Sequence, residues 1–97
     1  MAVAIEMDFK GATLEQYDEV MRLMGFDADP TPPPGAIFHW VAETPDGIRV
    51  VDVWESKEAY EKFAAEQIGP FTQQAGIPGP PETTYRELHN HMGGDQS

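Results

Sequence analysis

Hydrophobic and polar residues alternate over residues 3–10, a period of two that is typical of a strand with one buried face. From Thr13 the period becomes that of a helix, and Thr13 and Gln16 have the spacing of a capping box. Gly25 stands where a helix C-terminus is expected. A first strand and a first helix are therefore predicted, the helix with an apolar stripe of Leu14, Tyr17, Val20, Met21 and Met24.

A β-hairpin is predicted after a proline-rich loop. Residues 29–35 contain four prolines and cannot form a helix or a central strand. Residues 36–44 and 48–54 are the next two strands, separated by the turn Pro45-Asp46-Gly47. If Thr44 and Gly47 pair at the turn, cross-strand neighbours are predicted for His39 with Asp52, Val41 with Val50, and Ile37 with Trp54.

A second helix and a fourth strand complete the chain. Ser56 is expected to cap a helix from Lys57 to about Ile68, which Gly69-Pro70 ends or bends before a short helical piece at 71–75. A second proline-rich loop spans residues 76–82, and a strand is expected over 83–90. Residues 1–91 are therefore predicted to form one domain and residues 92–97 a disordered tail.

The order βαββαβ predicts a ferredoxin-like α+β fold, a four-stranded antiparallel sheet with two helices on one face. The first and third strands are expected at its centre, parallel to each other. Phe38, Trp40, Val51 and Val53 are uniformly apolar, so they are expected beneath the helices with Val3, Ile5, Met7 and Leu88. The opposite face then carries Glu6, Ile37, His39, Val50, Asp52, Trp54, Tyr85 and His89.

That second, mixed face could be solvated, as in many antiparallel sheets. Its apolar members Ile37, Val50 and Trp54 instead favour an association surface, and we expect a homodimer through it. A chain of about 100 residues buries only about 60–65% of its unfolded surface. A sizeable pocket is therefore expected to need the second copy.

Composition excludes several classes of function. The chain has 97 residues, 6 Lys and Arg against 17 Asp and Glu, a net charge of −11 and no cysteine. This charge repels phosphate backbones and anionic membranes, so neither nucleic acid nor a membrane is an expected partner. Without cysteine there is no disulfide or thiolate chemistry. With no leader-like or membrane-spanning segment visible, a cytoplasmic protein is expected.

His39 and Asp52 are the predicted catalytic pair. A carboxylate beside an imidazole orients it and raises its basicity, as a general base for an acidic phenol or enol requires. The alternative is a structural hydrogen bond inside the dimer interface. His89 and His91 could share a metal with Glu87 on a strand, but their place near the chain end argues against it, and no metal is expected.

The stretch VVDVWESKEAYEKF, preceded by GAIFHWVA and followed by a late strand, resembles the antibiotic biosynthesis monooxygenase-like proteins of the dimeric α/β barrel superfamily. The resemblance covers residues 3–90. It implies that two sheets from two chains close into a barrel around a small aromatic or polyketide-like substrate, and that no cofactor is needed. Trp54 and Tyr60 match positions that the family places at the substrate. Haem degradation is disfavoured, because Phe63 stands where that branch has a tryptophan.

The predicted function is a homodimer that binds a small aromatic molecule and acts on it as a cofactor-independent monooxygenase or an acid–base isomerase or cyclase. The alternative is a non-catalytic ligand-binding or stress-associated protein of the same fold. The residues leave open whether the chain is an enzyme. The predicted substrate-binding residues are Trp54, Tyr60, Ile37, Val50, Glu6 and His89.

Overall fold

The computed structural model describes residues 2–92, and its elements follow the predicted order. They are β1 (Val3–Lys10), α1 (Leu14–Leu23), β2 (Ala36–Thr44), β3 (Gly47–Trp54), α2 (Lys57–Phe63), a π-helical turn (Ala64–Ile68), α3 (Gly69–Gln74) and β4 (Glu82–Glu87). The predicted ferredoxin-like α+β fold is confirmed. Apart from Met92, the expected tail lies outside the described residues. Among residues 2–92 no helix is long and apolar enough to cross a bilayer.

The sheet has the strand order β2-β3-β1-β4, and all its neighbouring strands are antiparallel. The expected parallel alignment of the first and third strands is therefore wrong. The crossover through α1 returns the chain to start β2 in the direction of β1, and the tight hairpin then reverses it, so β3 runs against β1. Both central strands are as predicted.

Both helices begin at the predicted caps. The Thr13 hydroxyl accepts a hydrogen bond from the Gln16 amide, and the Gln16 side chain accepts one from the Thr13 amide, so the capping box is complete. The Ser56 hydroxyl accepts from the Ala59 amide at the start of α2. Because these caps satisfy amides that the helix itself leaves free, the two starting points are encoded locally.

The chain does not leave the helix at Gly69-Pro70. A proline ring clashes with the carbonyl four residues earlier and supplies no N–H. The backbone widens before it into the π-helical turn, where the Gly69 N–H bonds to the Ala64 carbonyl, five residues back. The widened turn lets α3 follow directly, and the Thr72 hydroxyl donates to the Ile68 carbonyl at 2.6 Å.

The helices cover the expected face of β1, but on the hairpin they cover the face opposite to the one expected. Val3, Ile5 and Met7 pair with Trp54, Asp52 and Val50, and all six are buried. Phe38 and Trp40 remain 46% and 40% exposed on the open face. The predicted dimer interface through Val50 and Trp54 is therefore wrong, since these residues form the core beneath the helices. Paired residues lie on the same face of a sheet, so the β1–β3 register places the apolar residues of β1 on the same face as Val50, Asp52 and Trp54.

The hairpin register is confirmed for His39 with Asp52 and for Val41 with Val50. At the start of β2 a bulge shifts it, so Ala36 and not Ile37 pairs with Trp54. Gly35 immediately before the bulge has a φ of +92°, and a Cβ there would lie 3.1 Å from the Ala59 Cβ. Glycine at this position lets the proline-rich loop close against α2 and the Trp54 ring.

Candidate functional site

A cavity of about 410 Å³ lies between the sheet and the helices. It is formed by one chain, contrary to the expectation that a second copy is needed. The β1 and β3 core residues form its floor, α1, the π-helical turn and α3 its roof, and the loop after α1 its side. The cavity lining includes Tyr17, Met21, Met24, Phe26, Pro30, Pro32, Pro33, Ile37, His39, Val50, Asp52, Trp54, Phe63, Ile68 and Thr72.

One part of the cavity wall is apolar and stiff. Met21, Met24 and Phe26 come from the end of α1 and the residues after it, and the first proline-rich loop adds Pro30, Pro32 and Pro33. Proline fixes φ and leaves the loop few alternative conformations. The first proline-rich loop is thus a wall of the cavity, suited to the face of a flat apolar molecule.

A buried carboxylate lies at the other end of the cavity. Asp52 occupies a core position of β3, where it is 6% exposed. Its Oδ1 lies 2.6 Å from His39 Nδ1, and its Oδ2 accepts a hydrogen bond from Trp54 Nε1 at 3.1 Å. A buried charge is tolerated only when such partners replace its lost water. The predicted approach of His39 and Asp52 within hydrogen-bond reach is confirmed.

Tyr17 on α1 extends this arrangement. Its hydroxyl lies 2.5 Å from His39 Nε2, and the two rings are nearly parallel at a centroid distance of 6.0 Å. Burial, with a smaller contribution from the Asp52 charge, raises the pKa of Tyr17 to about 12. Tyr17 therefore keeps its proton at neutral pH and donates a hydrogen bond to His39.

These contacts set the tautomer of neutral His39. Its Nδ1–H faces the Asp52 carboxylate, so its Nε2 carries the lone pair that accepts from Tyr17. The side chain of His39 is 41% exposed and that of Asp52 is 9% exposed. A hydrogen-bonded chain thus runs from the carboxylate in the core through the imidazole to a phenol at the cavity. Such a chain can accept a proton at Tyr17 while His39 takes up the proton of Tyr17.

The predicted site residues separate into two groups. The structure brings His39, Asp52, Ile37, Val50 and Trp54 to the cavity. Tyr60, Glu6 and His89 do not line it.

Each residue of the second group has another role or place. The Tyr60 hydroxyl donates to the Met7 sulfur, its ring packs edge-on against Trp54, and burial raises its pKa. The expectation that Tyr60 contacts the ligand is therefore corrected, because its ring contacts Trp54 in the core. Trp54 is covered by the helices, yet the cavity lies beside it. Glu6 pairs with Arg86 on the open face, and His89 follows the end of β4.

Tyr17 and Thr72 are the polar lining residues that the sequence did not indicate as functional. Tyr17 belongs to the predicted apolar stripe of α1, and that stripe was the available signal: a phenol on it faces the sheet. Thr72 follows Pro70, where a bend or an end was expected. Among residues 2–92 no group of three or more His, Asp or Glu side chains is placed to hold a metal ion.

Solved structures share this fold. ActVA-Orf6 of Streptomyces coelicolor, a monooxygenase solved with nanaomycin D, is 22% identical, with 94% of this chain and 89% of that one covered and a TM-score of 0.56. SnoaB, a cofactor-independent oxygenase from Streptomyces nogalater, is 19% identical over 94% of each chain, with a TM-score of 0.57. Rv0793 from Mycobacterium tuberculosis is 16% identical, with 94% and 98% covered and a TM-score of 0.62.

No protein-family model and no curated protein matches the sequence. The agreement with solved structures is therefore one of fold, since identity to each of these three is below 25%. It extends over nearly the whole length of both chains in each pair. The chain thus has the fold of antibiotic biosynthesis monooxygenase-like proteins, as the resemblance of its sequence indicated.

Proposed function

We propose that this protein binds a small, flat, largely apolar molecule in its cavity and removes a proton from an acidic hydroxyl of that molecule without a cofactor. The observation that carries the proposal is the hydrogen-bonded chain Asp52–His39–Tyr17, which ends at the cavity. The oxygenase activity in the names of ActVA-Orf6 and SnoaB supports it at the level of a shared fold.

The proton transfer proceeds in two linked steps. The ligand hydroxyl gives its proton to the Tyr17 oxygen as Tyr17 gives its own to His39 Nε2. The products are a ligand oxyanion and an imidazolium that the Asp52 carboxylate stabilises at 2.6 Å. The total charge of site and ligand is unchanged, because the proton lost by the ligand is balanced by the one gained by His39. Return of the proton to a ring carbon gives a rearrangement. Addition of O₂ to that carbon of the electron-rich anion gives instead a hydroperoxide, which loses water to leave a quinone, so the ligand itself supplies the electrons.

The proton-transfer step can be tested apart from oxygen. In D₂O under nitrogen, 1,3-dihydroxynaphthalene exchanges the hydrogen on the carbon between its hydroxyls through its keto form, and NMR follows the loss of that signal. The protein is expected to accelerate this exchange, and Tyr17→Phe to slow it by at least about tenfold. Tyr85→Phe, a tyrosine that does not line the cavity, is the matched control and is expected to behave as wild type.

An oxygen electrode and product analysis in air then separate the two reactions. Oxygen uptake with a quinone product indicates oxygenation, and exchange without uptake indicates an isomerase or cyclase. Binding of the naphthalene by calorimetry with neither exchange nor uptake would leave the non-catalytic ligand-binding protein and overturn the catalytic proposal.

We also propose a homodimer, now through the open sheet face. Trp40 is 40% exposed there beside Val51. The ion pairs of Glu6 and Asp8 with Arg49 and Arg86 leave the centre of this face without net charge, although the chain carries −11. Two copies can therefore meet on this face with little charge repulsion.

Light scattering tests the dimer. At micromolar concentration the protein is expected at about twice its chain mass of 10.8 kDa. Trp40→Glu places a charge in the apolar part of the face and is expected to give monomers, whereas Gln74→Glu, the same charge added on exposed α3, keeps the dimer. A wild-type protein that scatters as a monomer would refute this assembly.

A further inference from the structure

The charges around the cavity constrain what it can hold. Among residues 2–92, Asp52 is the one carboxylate that lines the cavity, and none of the six lysines and arginines lines it. Arg22 is paired with Glu19, Arg49 and Arg86 are paired on the open face, and Lys57 lies over the Tyr85 ring. An anion entering the cavity would lose its hydration and meet a negative charge, with no lysine or arginine beside it to offset either effect.

The side-chain hydrogen-bond donors that line the cavity already donate to other groups of the protein. Among the described lining residues, four side chains carry an N–H or O–H group: Tyr17, His39, Trp54 and Thr72. Tyr17 donates to His39, and both His39 and Trp54 donate to Asp52. Thr72 donates to the Ile68 carbonyl.

What remains open to a ligand at the polar end is the acceptor capacity of the Tyr17 oxygen, since a hydroxyl that donates one hydrogen bond still accepts others. A ligand must therefore supply the donor of the hydrogen bond to Tyr17. A neutral hydroxyl supplies it, whereas a carboxylate, sulfate or phosphate group only accepts. The side-chain donors and the side-chain charges thus indicate the same class of ligand from two separate observations.

We propose that the cavity selects uncharged aromatic molecules that present a hydroxyl donor to Tyr17, and that it rejects their anionic counterparts. This inference rests on the proposed function, whose pocket and proton acceptor it uses. It narrows the substrate class to neutral phenols and enols, including acids masked as esters or lactones, and excludes the free acids. The apolar end formed by Met24, Phe26 and Pro32 takes the remainder of the ring system.

Three matched probes test the selection by calorimetry at pH 7: methyl 6-hydroxy-2-naphthoate, the free 6-hydroxy-2-naphthoate anion, and methyl 6-methoxy-2-naphthoate. The hydroxy ester is expected to bind about 100-fold more tightly than the anion, because no lysine or arginine lines the cavity to offset the carboxylate charge. It is expected to bind about tenfold more tightly than the methoxy ester, which has no hydrogen to donate to Tyr17.

A variant that adds a positive charge at the cavity also tests the selection against anions, because it is expected to improve their binding. Ile37 lines the cavity and is 38% exposed, so the site tolerates a polar side chain. Ile37→Lys is expected to tighten binding of the anion by at least about tenfold, while Ile37→Gln, its uncharged control, leaves the preference for the ester in place.

The outcomes separate the inference from the proposed function. Equal binding of hydroxy ester and anion to the wild-type protein would overturn the charge selection and leave the proposed pocket standing. Equal binding of the hydroxy and methoxy esters would overturn the role of the donor. If none of the three probes binds, the proposed function is overturned and the selection with it.

Discussion

Replacing Trp54 with alanine is expected to lower the free energy of unfolding by about 3–5 kcal/mol. The side chain is 2% exposed and packs against Tyr60 and Phe63 with centroid distances of 5.9 and 5.2 Å. Its removal leaves a void and deprives the buried Asp52 of one of its two hydrogen-bond donors. Since small domains are stable by only about 5–15 kcal/mol, this single change removes a large share of the total.

Urea unfolding followed by circular dichroism measures this effect. Trp54→Phe is the matched variant, because it keeps an aromatic ring in the core and removes the N–H that bonds to Asp52. The free energy of unfolding of Trp54→Phe is expected to fall by less, about 1–3 kcal/mol, the cost of leaving a buried acceptor unsatisfied. A Trp54→Ala protein within about 0.5 kcal/mol of wild type would contradict the packing of this residue as a core side chain. The sequence indicated a ligand contact for Trp54, and the structure adds this role in stability.

His39→Gln is expected to slow deuterium exchange into 1,3-dihydroxynaphthalene by about 10²–10⁴-fold, the range that a general base contributes. Glutamine can still donate an amide hydrogen to Asp52, but it cannot take up the proton of Tyr17 at neutral pH. Because the His39 side chain is 41% exposed, the fold is expected to remain intact.

The exchange rate is measured with the thermal midpoint of each variant, so that loss of proton transfer is distinguished from loss of structure. His89→Gln, a histidine beyond β4 and away from the cavity, is the matched control and is expected to exchange at the wild-type rate. A His39→Gln protein that is folded and exchanges as fast as wild type would remove His39 from the mechanism.

Asp52 contributes both to the stability of the core and to the proposed chemistry. Asp52 stands in a row of β3 residues that are otherwise apolar, and it is held there by His39 and Trp54. The same two contacts that make the buried charge tolerable also orient the imidazole toward Tyr17. The buried carboxylate that needs these two partners is thus also the group that orients the base.

The sequence by itself determined the elements and their local connections. Thr13 with Gln16 and Ser56 with Ala59 start the helices through contacts within four residues, and Pro45-Asp46-Gly47 sets the hairpin register that pairs His39 with Asp52. These features depend on neighbours in the chain, so pattern and spacing were sufficient to predict them. The fold class followed from the order of these elements.

Only the tertiary structure decided which sheet face the helices cover. Both faces of the hairpin carry apolar residues, and the choice between them depends on the pairing of Val3 with Trp54, residues far apart in the chain. That pairing placed Tyr17 over His39 and formed the cavity within one chain. Apolarity alone favoured the face with Trp40, which stays open because none of the described helices packs against it. Local patterns carry no information on such long-range register, which arises only when strands and helices pack together.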